Sequence, residues 1–210
     1  MWCLDLDEEE TELESLPDLS HSFPPCMHRI YHHMDHTKHL RYHARMQYIS
    51  FLMEIGLSVT DTITYFQNTF MQTMSEKAYK QGKYDYSIRY QFGLAGRMVR
   101  QRCSDCRVLQ RIQGQHAGDC HGCPLTSHEG VRTTLNLPTY EDISEKGKRE
   151  ILSLSYSDQP SKICAAIFAA KHCLKTSENN NLVLPQLIVN PLQYYALSRL
   201  RERDVEEESD

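Results

Sequence analysis

The sequence predicts a mainly α-helical domain with long irregular loops. Three observations carry this. Apolar residues recur at helical spacing in three separate stretches. Pro24 with Pro25, and Ser58 with Asp61, stand where helices start. Between the periodic stretches lie long runs rich in Gly, His, Ser and Thr, whose composition does not order them by hydrophobic burial. Hydrophobic residues make up 40% and charged residues 24% of the 210-residue chain, the proportions of a soluble globular domain.

Taken in order, residues 1–22 read as an acidic, disordered lead, rich in Asp and Glu and without periodicity. Order is expected from FPPCM onward, where Pro24 and Pro25 suit a first helical turn. The spacing predicts a helix over 41–55. Tyr42, Met46, Ile49 and Met53 form its core stripe, and Arg41, Arg45, Tyr48 and Leu52 an adjacent, basic and exposed edge. Gly56 suits its end. Ser58 and Asp61 resemble a capping box opening a helix over 60–74 that buries Ile63, Phe66, Phe70 and Met74. After a turn at Gln81-Gly82 comes KYDYSIRYQFGLAGR, aromatic and basic together, then a short helix over 105–113. Residues 114–147 read as irregular, with Pro124 and Pro138 as breakers. A helix over 161–175 places Ile163, Ile167, Ala170 and Leu174 on one face. Pro185 and Pro191 break the last apolar stretch into extended chain and a short helix before an acidic tail at 201–210. The domain proper is thus expected over 23–200.

Charge narrows the function. The net charge is -5, from 23 Lys and Arg against 28 Asp and Glu. Residues 1–20 hold eight of those acids and no base, and residues 201–210 six acids and two arginines. The body, 21–200, therefore carries 21 bases against 14 acids. A basic body with acidic ends fits a binder of polyanions, and equally a solvated surface with acidic tails. Seven of the eleven histidines lie between His21 and His43, interleaved with Arg and Lys, as a phosphate-binding surface would place them. No apolar run reaches the roughly 20 residues of a membrane span, and MWCLDLDEEE lacks the basic-then-apolar pattern of an export signal. Without export, eight cysteines point to metal ligation or free thiols rather than disulfides. Paired carboxylates for two-metal phosphoryl transfer and a GxxxxGK[ST] loop are both missing, which argues against a catalytic centre for nucleotidyl transfer.

Two ligand sets compete for a metal. Cys103, Cys106, Cys120 and Cys123 form CxxC–x13–CxxC, close to structural zinc spacing, and a zinc-binding adaptor for nucleic acid or protein would use all four. A redox protein is a further class, without a flavin or dinucleotide motif to support it.

Five blocks shift the balance: FPPCM, HLRYHARMQY, IGL, YDYSIRYQFG and HGCP. Together and in this order they resemble the C-terminal iron–sulfur domain of the large subunit of eukaryotic and archaeal DNA primase, over about residues 23–175. The resemblance implies a helical domain organised around one buried [4Fe–4S] cluster held by Cys26, Cys106, Cys123 and Cys164, with His172 following the last ligand. It implies that His39, Arg41 and Arg45 grip the 5′-triphosphate of an RNA primer. Tyr84, Tyr86 and Arg89 would help hold the template–primer duplex, and Tyr48 matches a third family tyrosine. It also implies a separate small catalytic subunit, association with DNA polymerase α, and a nuclear location in a eukaryote. The sequence departs from the family at Cys103 and Cys120, at Tyr42 and His43 where His and Gly are typical, and in matching no N-terminal docking domain.

Overall fold

A computed structural model describes residues 11–112, 116, 118–155, 159–173 and 188–207. The described chain is helical, with a single isolated β-bridge between Thr11 and Leu57. Residues 11–22 take regular structure where the sequence predicts a disordered lead. Thr11 is fastened to the carbonyls of Ile55 and Gly56, and α1 (Leu16–Leu19) buries both of its leucines. Two leucines three apart on one helical face suffice to anchor a short acidic segment to an existing core.

The first core is built by α2 (Pro25–Thr37), α3 (Tyr42–Glu54), α4 (Val59–Phe70), α5 (Glu76–Gln81) and α6 (Tyr84–Gln91) around Phe23, Met27, Ile30, Tyr48, Phe51 and Phe66. Pro25 opens α2 as expected. The Ser58 hydroxyl caps α4, accepting from the Asp61 amide at 3.0 Å and donating to its carboxylate at 2.7 Å. Ile49 and Met53 of the expected core stripe of α3 are buried and Arg41 is exposed, but Arg45, Tyr48 and Leu52 of the expected exposed edge are buried too, whereas Tyr42 is 59% exposed. The reason is that α3 is covered by α2, α4, α6 and the closing helix, so that most of its circumference faces protein.

The second core gathers α8 (His128–Leu135), α9 (Glu145–Leu154) and α10 (Pro160–Lys171) around Val131, Tyr140, Ile151, Ile163, Ile167 and Phe168. The sequence predicts irregular chain over 114–147, yet α8 and the start of α9 lie there. Ser127 and Ser144 begin them by accepting from the amides of Gly130 at 3.1 Å and Gly147 at 3.2 Å. The closing helix, α11 (Pro191–Glu207), is longer than the short helix expected; Tyr194, Tyr195 and Ala196 are buried, and its tyrosines join both cores. Leu174, the SENNN segment and Pro185 lie outside the described residues. Between the cores runs the stretch bearing α7 (Cys106–Arg111) and the Cys120–Cys123 loop, and Cys123 packs against both. Among the described residues, no helix is long and apolar enough to cross a membrane.

Candidate metal centre and nucleic-acid surface

Cys26, Cys106, Cys123 and Cys164 line one chamber between the cores, together with Pro24, Leu109, Leu125 and Ile188. The chamber has about 360 Å³ of free space, its mouth included. Each thiol arrives from a different segment. Cys26 follows Pro25 in the first turn of α2, and Cys106 opens α7 behind the capping carboxylate of Asp105. Cys123 leads into the 3-10 turn Pro124–Thr126, and Cys164 sits in the second turn of α10. All four are free thiols.

Burial drives each thiol above its ordinary range, and most neighbours push the same way. Cys26 is raised by burial, then by Cys123, Cys106 and Cys164, with Cys103 last. Cys164 is raised by burial, then by Cys106 and Cys123. Cys106 reaches about 12 through burial, Cys123 and Asp105. Four apolar-walled thiols that resist ionising ionise only where a cation displaces their protons and neutralises them.

Cys103 and Cys120 do not line the chamber. The Cys103 amide donates to Glu54 at 3.1 Å, and its thiol is raised by burial and then by that carboxylate. Cys120 is raised to about 11 by burial, against a lowering influence from Arg29. Among the described residues, no three His, Cys, Asp or Glu stand close enough to hold a single ion. That holds for the zinc set and the chamber thiols alike; the difference between them is that Cys26, Cys106, Cys123 and Cys164 all line one space, which Cys103 and Cys120 do not.

The loop delivering Cys123 is held from several sides. Arg29 donates through Nε to the Cys120 carbonyl at 3.1 Å and through Nη2 to the His121 carbonyl at 2.7 Å. The Gly122 amide donates to Gln47 at 2.7 Å, and the Cys123 amide to the Leu109 carbonyl at 2.9 Å. Gly122 has φ 78°, and a Cβ there would lie 2.0 Å from the Ile112 carbonyl oxygen. Only glycine fits. Arg29, Gln47 and Asp119 carry no mark in the sequence that singles them out by type. The one signal available for Arg29 is its place three residues after Cys26, on the same helical face.

Beside this loop the structure brings His39, Arg45 and Tyr84 together. The His39 Nε2 and the Tyr84 hydroxyl are 3.1 Å apart, and the Arg45 guanidinium lies 4.8 Å from the Tyr84 ring centre and 5.7 Å from that of Tyr42. Arg45 also donates to the Leu40 carbonyl at 3.1 Å. Burial, then the charges of Arg45, His33 and Arg41, lower the His39 pKa and favour its neutral ring. Arg41 and Arg45, one turn apart, do not point to the same partner. Arg41 precedes α3 in extended backbone, and its guanidinium reaches Asp119 at 3.2 Å. Tyr84 and Tyr86 diverge because α6 is helical: Tyr84 packs on Phe70, while Tyr86 is 54% exposed, with exposed Arg89 one turn on. Tyr48 is fully buried in the first core. His172 contacts Phe168 and lies 2.9 Å from the Ser198 hydroxyl, away from the chamber lining.

Comparison with known proteins points to one family. The family model for the C-terminal domain of the eukaryotic and archaeal DNA primase large subunit matches residues 18–195. The DNA primase large subunit of Schizosaccharomyces pombe is 29% identical over 177 residues, covering 84% of this chain and 37% of the relative. The human DNA primase large subunit is 30% identical over 152 residues, covering 72% of this chain and 30% of the relative. That of Drosophila melanogaster is 31% identical over 130 residues, 61% of this chain and 24% of the relative. The chain thus spans about a third of the length of the curated relatives it matches.

Proposed function

Because the chain belongs to the family defined by the C-terminal domain of the eukaryotic and archaeal DNA primase large subunit, we propose that it is the accessory, non-catalytic part of a primase. It grips the 5′-triphosphate end of the RNA primer on its template and supports initiation of RNA primer synthesis in DNA replication. Nucleotidyl transfer belongs to a separate small catalytic subunit; in a eukaryote the two work within a complex with DNA polymerase α in the nucleus.

The observation that carries this reading is the convergence of four thiols from four distant segments on one apolar chamber, beside a face bearing His39 and Arg41 with Arg45 buried beneath it. Four cysteines are the usual ligation of a [4Fe–4S] cluster. Cys26, Cys106, Cys123 and Cys164 would hold it, with Leu109, Leu125 and Ile188 keeping water out. When bound, the cluster supplies iron–thiolate bonds that cross-link segments no continuous hydrophobic core joins.

On the adjacent face Arg41 offers the planar fork that matches phosphate oxygens. Arg45 is held inward by Tyr84 and Leu40 and contributes its charge to the site from beneath, while neutral His39 can donate a hydrogen bond at physiological pH. Tyr86 and Arg89, exposed on α6, suit stacking and backbone contact along the duplex. The test is binding of RNA–DNA duplexes with a 5′-triphosphate or a 5′-hydroxyl. Arg41→Ala should weaken the triphosphate duplex much more than the hydroxyl one. Equal loss would reduce the face to general phosphate attraction.

A further inference from the structure

Arg29 is a partly buried cation with no carboxylate partner among the described residues. Its two hydrogen bonds go to the carbonyls of Cys120 and His121, which are neutral acceptors. A guanidinium is always charged and prefers an anionic partner when withdrawn from water. The other charged or titratable groups around it do not supply one. His33 and His121 are both held below their ordinary pKa, partly by Arg29 itself, and Asp119 on the same loop is engaged by Arg41. Burial lowers the Arg29 pKa, and the groups that hold it up are Cys120, Cys26 and Cys123. The two carbonyls it grasps stand three and two residues before Cys123, and Arg29 itself stands one turn beyond Cys26, so the guanidinium lies beside the segments that carry two of the chamber thiols.

Its position has a second consequence. Arg29 stands on α2, one turn beyond Cys26, and its two donors grasp the loop that presents Cys123. It thereby joins two of the four proposed ligand segments before any metal does. Gln47 of α3 fixes Gly122 in the same loop, but as a neutral amide.

We propose that Arg29 is the positioning residue of the chamber: it sets the Cys123 loop against α2 and supplies the fixed positive charge that balances a thiolate-ligated cluster. This rests on the cluster reading above. A four-thiolate cluster is net anionic, and its reduction potential follows charge and hydrogen bonding around it. A neighbouring cation favours the more negative, reduced state.

The experiment compares the full chain with its Arg29→Lys and Arg29→Gln variants, purified without oxygen. Three quantities are read: iron per chain, iron release to a chelator, and midpoint potential in a mediator titration. Arg29→Gln should release iron roughly tenfold faster, in line with the loss of outer-sphere partners at metal sites, and should shift the potential downward. Arg29→Lys should keep the potential near that of the parent, because the charge remains. It should still release iron faster, because one ammonium cannot reproduce the two-pronged grip on both carbonyls. If Arg29→Gln yields too little folded protein, Arg29→Lys alone decides through that split between potential and release. Iron-loaded parent protein whose variants match it in release and potential overturns this inference alone. Parent protein that takes up no iron overturns the cluster reading and this inference with it.

Discussion

Arg41 and Asp119 form an ion pair at 3.2 Å that ties the start of α3 to the loop leading into Cys123. The arginine side chain is half exposed and the carboxylate nearly buried, at 51% and 10%. An incoming phosphate must therefore compete with Asp119 for the same guanidinium, and displacing it loosens a contact made by the thiol-bearing loop.

Asp119→Asn should strengthen binding of a 5′-triphosphate duplex. A partly exposed pair contributes about 0.2–1 kcal/mol, so the gain is up to roughly fivefold, and it should shrink as salt rises. Fluorescence anisotropy at two ionic strengths checks both statements.

Arg45 behaves differently from Arg41 because it is buried between Tyr42 and Tyr84 and bonded to the Leu40 carbonyl. Arg45→Ala should cost roughly 2–3 kcal/mol of stability through the lost ring contacts and hydrogen bond. Arg41→Ala should leave the Tm nearly unchanged. Thermal melts followed by circular dichroism separate the two; equal Tm values would mean that Arg45 is not the packing residue described.

Gly122→Ala should damage the chamber without touching a thiol. The added methyl meets the Ile112 carbonyl at a positive φ, a conflict of roughly 3 kcal/mol or more. Iron content should fall together with the Tm, and a variant that retains both would show that the loop can yield.

The gap between the cores also carries a pH dependence. His28, 5% exposed beside Tyr140, has its pKa lowered from 6.5 to about 3 by burial first and then by Lys171, His32 and His21. It stays neutral in the folded state, while the unfolded chain takes up the proton near its ordinary pKa. Stability is thus full above pH 6.5 and is lost as pH falls towards 3, on the order of 2 kcal/mol between pH 6.5 and 5. Urea unfolding of parent and His28→Gln at both pH values tests this, and the variant should lose most of the slope.

Much of the helical frame is legible in the sequence because period and caps agree: Ser58 and Asp61, Pro25, and the Phe66–Phe70 face are local features that local rules read correctly. The exposure of α3 is not legible, because a helix surrounded by four others shows no preferred face. Residues 128–135 and 145–154 escape because their apolar residues are sparse, and their starts rest on single serine hydroxyls. In the site, the separation of Cys106 from Cys103 and of Cys123 from Cys120 comes through family resemblance and not spacing, which pairs them all equally. What spacing could never supply is long-range placement: the meeting of Arg29 with residues 120–121, and of Arg41 with Asp119, is set by how α2, α3 and the loop pack.

The measurement closest to the central claim is metal analysis of the full chain purified without oxygen. A brown protein with about four irons per chain is expected, most of which is lost in Cys26→Ser and Cys164→Ser but kept in Cys103→Ser and Cys120→Ser. A colourless protein with one zinc per chain, lost in Cys103→Ser and Cys120→Ser, would contradict it.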